Sequence, residues 1–147
     1  MTTTAEDQLR AELATRSWTR LRALVLDLHD RRKEVSVALE MGFIRVKALR
    51  RIVAGPCKLR ELAGRLGTDA PYTTLIVDDL EKRGLVVRTP HPDDRRSKLV
   101  TATEAGLAAN AIAEGILGQP PASVLDLDTE DLVNLDRIVA ALVGEDS

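Results

Sequence analysis

The sequence of 147 residues is poor in the side chains that build metal sites, disulfides and aromatic cores. It contains one cysteine, two histidines, one tryptophan, one tyrosine and one phenylalanine. A single cysteine excludes an intramolecular disulfide, and this small supply of cysteine and histidine argues against a conventional zinc site. Leucine, valine, alanine and isoleucine must therefore form most of the hydrophobic core.

Long apolar runs are also lacking. No run reaches the ~18 residues that a membrane-spanning helix needs, and the polar residues 1–8 do not have the pattern of a signal peptide. We therefore expect a cytoplasmic protein with no membrane partner. Its apolar content of 44% excludes a disordered chain, and its length suits one domain with a real core.

Arrangements typical of a catalytic site are missing as well. The sequence shows no nucleophile placed beside a base, no glycine-rich phosphate loop and no metal cluster. The adjacent acidic pairs Asp78-Asp79 and Asp93-Asp94 point apart on a helix or a turn, so they do not converge on a substrate. We predict that the protein is not an enzyme and uses no cofactor or metal.

The net charge is −2, but the charges are unevenly distributed along the chain. Residues 20–51 carry nine basic and four acidic side chains, whereas residues 101–147 carry one and nine. Binding to nucleic acid depends on the local field near the phosphates, within a Debye length of about 8–10 Å. The acidic total therefore does not exclude DNA as a partner; the alternative is that the basic segments are solvated helix faces.

Residues 59–83 have the pattern of two short helices joined by a tight turn. Apolar residues recur at helical spacing from Leu59 to Leu66, and Gly67 suits a left-handed C-terminal cap. Asp69 is placed to cap a second helix, with Pro71 in its first turn. A turn of about three residues holds two helices at a steep angle, so the pattern predicts a helix-turn-helix.

The pattern changes from helical to extended after Gly84. Residues 85–89 and 98–102 are rich in valine, leucine and threonine, and a loop of prolines and charged residues, 91–97, separates them. This predicts a β-hairpin with a basic tip, called a wing. Thr103 then caps the next helix.

Amphipathic helices are predicted on both sides of this region. Residues 5–30 form one long helix, and residues 31–53 form one or two more with a break at Gly42. Residues 103–117 are helical, and after two successive prolines a final helix is capped by Asp128. The end helices carry more apolar surface than a small winged domain covers, which indicates a partner.

Four motifs in this order and spacing resemble the MarR family of bacterial transcriptional regulators. They are Glu61-Leu62-Ala63 with Leu66, Leu80-Glu81 with Gly84-Leu85-Val86, Asp94-Arg95-Arg96, and Thr103-Glu104-Ala105-Gly106. Each motif is weak alone, but four in sequence make a specific signal over about a third of the chain.

The resemblance implies a mainly α fold with a small β-hairpin wing, in one domain of residues 1–147. N-terminal helices (5–54) and C-terminal dimerisation helices (103–143) would flank a winged helix-turn-helix lobe (55–102). It also implies a homodimer that binds a pseudo-palindromic operator in double-stranded DNA, most often as a repressor. The alternative is a winged-helix module that dimerises or docks another protein without reading DNA.

By resemblance, DNA contacts come from the second helix and the wing. The N-terminal end of the helix would offer four residues to the major groove: Pro71, Tyr72, Thr73 and Thr74. Tyr72 and Thr73 also suit ordinary helix packing. Leu75 and Asp78 depart from the family pattern on this face, so specificity would lean on DNA shape.

In the wing, Arg96 would enter a narrow minor groove, where the negative potential is strong. Arg95 or Lys98 would hold a phosphate, and Asp94 would brace the wing through an intramolecular ion pair. The bland alternative is that Arg95 and Arg96 only keep a turn soluble.

Family members also commonly respond to a small ligand, often phenolic or anionic. The residues we would examine for such an effector pocket are Trp18, His29, Phe43 and Arg45, although each suits a place in the core or on the surface better than a ligand contact. Cys57 raises a further alternative, a redox-sensing regulator, because Lys58 and the following helix N-terminus would lower its pKa. A partly buried structural residue is the favoured interpretation of Cys57.

Overall fold

The computed structural model describes residues 3–94 and 96–145 and is mainly helical. Its helices are α1 Ala5–Ala23, continued by a π-helical turn Leu24–Leu28, α2 Arg32–Leu39, α3 Phe43–Ala54, α4 Leu59–Leu66, α5 Ala70–Lys82, α6 Glu104–Leu117, α7 Ala122–Leu125 and α8 Thr129–Val143. The strands are β1 Val86–Pro90 and β2 Lys98–Ala102, which pair antiparallel with Val86 opposite Ala102. The predicted fold class, mainly helical with a hairpin wing, is confirmed.

The chain forms two compact units, Met1–Leu117 and Gly118–Ser147. Helix α6 belongs to the first unit, and α7 and α8 belong to the second. That the whole chain forms one domain stays a prediction.

The core of the first unit is built from apolar residues of its central helices and its hairpin. The largest side chains that are fully buried are Leu49, Ile52, Leu62, Ile76, Leu80, Val35, Val46, Val77, Val86 and Val100. Burying one such side chain contributes about 1.5–3 kcal/mol relative to leaving it in water. This core fixes α4, α5 and the hairpin against one another.

Local signals set the helix boundaries much as the sequence predicts. Gly67 ends α4 with a φ of 68°, a left-handed conformation that costs little without a Cβ. The Asp69 Oδ1 atom accepts a hydrogen bond of 2.8 Å from the Tyr72 N–H and so caps α5. The predicted break between α2 and α3 is also present, since Gly42 is the N-cap of α3.

Gly106 allows α6 to approach the chain that leads into the wing. A Cβ atom at this position would lie 2.0 Å from the Leu85 carbonyl oxygen. Thr103 fixes the same contact, because its hydroxyl donates to the Gly84 carbonyl at 2.6 Å and accepts from the Gly106 N–H at 3.1 Å. The motif from Thr103 to Gly106 therefore caps α6 and also lets this helix pack closely against the backbone at Leu85.

The second unit contains a short helix that the sequence did not predict, α7. Its longer helix, α8, begins where predicted, because the Asp128 Oδ1 atom accepts from the Asp131 N–H at 2.8 Å.

Among the described residues, no helix combines the length and the apolar character that crossing a bilayer requires.

Candidate nucleic-acid interface

A basic groove of about 540 Å³ lies between the wing, α5 and the N-terminal end of α4. Its described lining contains five cations and no carboxylate: Lys58, Leu59, Arg60, Thr74, Arg88, Arg96, Ser97 and Lys98. The structure thus brings together three of the predicted contacts, Thr74, Arg96 and Lys98, on two separate elements. A concave surface with this charge suits a polyanion.

The sequence did not predict Lys58 and Arg60 as candidate DNA contacts. Both lie at the start of α4, Lys58 as the N-cap and Arg60 in the first turn. The N–H groups of a helix N-terminus also favour an anion there. The signal in the sequence is a pair of cations around a helix start, but nothing local shows that the wing lies opposite.

Arg88 joins the wing to α5. Its guanidinium lies 2.5 Å from the Asp78 Oδ1 atom and 3.1 Å from the Glu81 Oε2 atom. Burial works against the charged form, but the hydrogen bonds to the two carboxylates prevail and raise the pKa of Arg88. Asp78, which looked repulsive to DNA in the sequence, is neutralised by an arginine ten residues away.

Asp79 holds α5 against α3. Its Oδ2 atom accepts from the Nε atoms of Arg83 and Arg45, each at 2.8 Å. These hydrogen bonds, that of Arg83 above all, lower the pKa of Asp79. Arg45, predicted as an effector contact, has its Nε atom committed to this link between helices.

The burial of Thr73 contradicts its prediction as a DNA contact. Its side chain is 1% exposed, because it shares the buried stripe of α5 with residues three, four and seven positions on. Its hydroxyl donates to the Asp69 carbonyl at 2.7 Å and lies 2.7 Å from the Thr68 hydroxyl. The other three predicted residues of this helix end are exposed: Pro71, Tyr72 and Thr74.

The wing is braced at its tip by Asp94, but through hydrogen bonds. The Oδ1 atom accepts from the Arg96 N–H at 3.0 Å, and the Oδ2 atom accepts from the Ser97 hydroxyl at 3.1 Å. Both bonds, the first more strongly, lower the pKa of Asp94. The predicted ion pair of Asp94 is not formed with a described cation, and Arg95 lies outside the described residues.

None of the four predicted effector residues lines the basic groove described above. Trp18 is 64% exposed on α1, and Phe43 packs against the core. The His29 Nε2 atom accepts from the Arg31 Nε atom at 3.4 Å. An effector pocket formed by these three residues and Arg45 stays a prediction.

A second cavity of about 450 Å³ lies between α3, α4 and α6. Its lining is Lys47, Arg50, Arg51, Val53, Ala54, Arg65, Leu66, Asn110 and Glu114. Arg50 pairs with Glu114 at 2.6 Å, whereas Lys47 and Arg65 form no ion pair with a described residue. The Asn110 Oδ1 atom is buried and has no hydrogen-bond partner among them.

Cys57 is structural. It is fully buried, and its backbone forms a β-bridge with Val100 through hydrogen bonds of 3.2 and 2.8 Å. Burial raises the pKa of the Cys57 thiol, and the nearby Arg51 charge offsets only part of that rise. The direction of this pKa shift is opposite to the one that the redox-sensing alternative requires, and that alternative is not favoured. The described residues also contain no group of three or more histidine, cysteine or acidic side chains placed to hold a metal.

Comparison with known proteins gives matches over the same elements. Residues 41–98 match the model of the MarR family, and this span contains α4, α5 and the wing tip. Wild-type MarR from E. coli is 26% identical over 84% of this chain and 95% of that chain, with a TM-score of 0.67. The transcriptional repressor CouR, solved bound to a 23-mer DNA duplex, is 26% identical over 97% of this chain and 98% of its own, with a TM-score of 0.63. A transcriptional regulator from Thermotoga maritima shares the fold at 22% identity over 90% and 93%, with a TM-score of 0.69.

Proposed function

The chain belongs to the MarR family, and on that premise we propose that it is a homodimeric transcriptional repressor that binds operator DNA. Its cellular place is then the cytoplasm, where the DNA is. The family consists of transcription regulators and not of enzymes, which agrees with the predicted lack of catalytic activity. The observation that carries the proposal is the basic groove between α4, α5 and the wing.

Relatives support DNA as the ligand of this groove. CouR has been solved on a DNA duplex, and a mutant of E. coli MarR has been solved complexed with operator DNA. The E. coli complex is 26% identical over 84% of this chain, with a TM-score of 0.57. The groove contains the features that duplex DNA requires, since cations line it and the N-termini of α4 and α5 flank it.

The two elements have different roles in this proposal. The exposed N-terminal half of α5 enters the major groove with Pro71, Tyr72 and Thr74, and Arg96 enters the neighbouring minor groove. Phosphates on either side are held by Lys58, Arg60 and Lys98. Arg88 does not contact DNA in this scheme but keeps the wing at a fixed position relative to α5.

The dimer is formed by apolar faces that the monomer leaves open. None of the 19 residues of α1 is buried, and Leu9, Leu13 and Trp18 are about half exposed or more. Helix α8 likewise has no buried residue and exposes Val133, Ile138 and Leu142. A two-fold dimer would place two copies of α5 about 34 Å apart, one turn of the DNA.

An anionic effector is the second part of the proposal, and ligand response is typical of the family. The cavity between α3, α4 and α6 suits it better than the four predicted residues, because Lys47 and Arg65 are available for an anion. A hydroxyl or amine beside the acidic group of the ligand would supply a hydrogen bond to the buried Asn110 oxygen, which has no donor among the described residues. The probe 4-hydroxybenzoate should lower DNA affinity in wild-type protein more than in Lys47→Ala.

The main test is DNA binding measured by fluorescence anisotropy across a salt series. The two ligands are the DNA upstream of the protein's own gene and shuffled DNA of the same composition. We expect selective binding. The logarithm of the association constant should fall linearly with the logarithm of the salt concentration, with a slope of about −0.9 per phosphate contact. Unselective binding that responds little to salt would instead favour the protein-docking module.

A further inference from the structure

The outward face of α5 has an apolar side chain at its centre. The buried stripe of the helix is Thr73, Ile76, Val77 and Leu80. Helical spacing places Pro71, Leu75, Asp78 and Lys82 on the opposite side. Leu75 is 61% exposed there, although most of the other exposed side chains of this helix are polar.

The polar groups around Leu75 are already engaged within the protein. The Thr74 hydroxyl donates to the Ala70 carbonyl at 3.0 Å, so its proton is not available to a base. The Asp78 carboxylate accepts from Arg88, and so does the Glu81 carboxylate. Close to Leu75, this face therefore offers a base edge only the Tyr72 hydroxyl and the oxygen lone pair of Thr74, while Lys82 lies about two turns further along the helix.

Base edges in the major groove show one apolar group, the 5-methyl group of thymine. We propose that Leu75 reads a thymine methyl in each half-site of the operator, so that specificity at this position comes from apolar contact. The inference rests on the proposed function and adds the chemistry by which the same surface chooses its sequence. It adds one base contact to the expectation, drawn from the sequence, that specificity leans on DNA shape.

The surroundings of Leu75 fit this task. It follows Thr74, which lines the basic groove together with Arg96 and Lys98, so phosphate contacts and base contact come from one continuous surface. Because Asp78 is neutralised by Arg88, its charge does not keep the DNA away from the leucine. Burying one methyl group between leucine and base corresponds to about a fourfold gain in affinity.

The test replaces thymine by deoxyuridine, which removes only the methyl group and keeps every hydrogen bond of the base pair. Each thymine of the bound half-site is replaced in turn, and affinity is measured by anisotropy at fixed salt. We expect one or two positions per half-site at which affinity falls about three- to fivefold. The remaining positions should change less than twofold.

The protein side of the test is Leu75→Ala. Leu75 is exposed and alanine favours a helix, so the variant should fold as the wild type does. It should bind thymine and deoxyuridine operators equally, since the methyl group has lost its contact, and this coupling identifies the pair. Leu75→Met should restore part of the difference. Val37→Ala, an exposed apolar residue of α2 that lies outside the groove lining, should keep the full difference.

The outcomes separate the two proposals. Selective, salt-dependent binding with no position sensitive to deoxyuridine would overturn the role of Leu75 and leave the repressor intact. A sensitive position that stays sensitive in Leu75→Ala would also overturn it, as would a half-site without thymine. A wild-type protein that does not bind DNA selectively would overturn the proposed function and this inference with it.

Discussion

At the scale of single residues, the arginines of the basic groove are divided between two tasks. Arg88 is held by two carboxylates of α5, whereas Arg96 lines the open groove at the wing tip. Both are arginines of one hairpin, and their roles differ because of what surrounds them. The first is a brace within the protein, and the second is available to an external anion.

Replacing Arg96 by alanine should weaken operator binding about tenfold or more, because its contact in the minor groove is lost. The measurement is the anisotropy salt series, with sedimentation to follow the dimer. Lys33→Ala removes a cation from α2 and should not change operator binding. Unchanged DNA binding in the Arg96 variant would contradict the minor-groove assignment.

At the scale of elements, two close contacts fix the wing and α5. The wing leaves the core next to α6, where Gly106 touches the Leu85 carbonyl. Helix α5 is tied to α3 through Asp79 and to β1 through Arg88. These contacts join segments that are distant in the chain, so they determine where the groove opens.

Gly106→Ala should destabilise the protein by about 1–3 kcal/mol, because the new methyl group would overlap the Leu85 carbonyl oxygen. Thermal unfolding measures the effect. Gly115→Ala is the matched control in the same helix, since a Cβ there has nothing within 4 Å and alanine favours the helix. An equal response of the two variants would show that the close approach is relaxed in solution.

Asp79→Asn should lower the free energy of unfolding at pH 7 by about 1 kcal/mol, since the ion pairs are partly exposed. The pKa of Asp79 is lowered in the folded state, so its contribution is complete above the ordinary value of 3.8. The contribution is lost as the pH falls through the depressed pKa. Denaturant unfolding from pH 7 to pH 3 should show the two proteins converging, whereas Asp93→Asn should track the wild type throughout.

At the scale of the whole molecule, the apolar faces of α1 and α8 require partners. A helix of 19 residues without one buried side chain gains little from its own chain. Sequence-specific binding to a two-fold site also needs two copies of α5. Dimerisation therefore serves stability and recognition together.

Leu13→Glu should convert the dimer to monomers at micromolar concentration, because a carboxylate in an apolar interface loses its hydration without a partner. Sedimentation velocity measures the oligomeric state, and operator affinity should fall with it. Lys33→Glu changes the charge by more and should leave the dimer intact. A Leu13→Glu protein that remains dimeric would exclude the α1 face as the interface.

Local sequence patterns predict the elements of the protein and their order, apart from the short helix α7. Helix periods, the caps at Gly67, Asp69 and Asp128, and the extended segments after Gly84 are local patterns, set by neighbours within four residues. The family motifs lie in those same segments, so the winged fold was also predictable. The buried position of Thr73 followed from the same period, which is why it failed as a DNA contact.

Only the tertiary structure decided which side chains meet. Arg45 and Asp79 are 34 residues apart, and Arg50 and Glu114 are 64 apart, so no local pattern connects them. The same holds for Lys58 and Arg60, which become part of the basic groove because the wing folds back beside α4. Charge and exposure at these positions depend on partners brought together by core packing, and packing is a property of the whole fold.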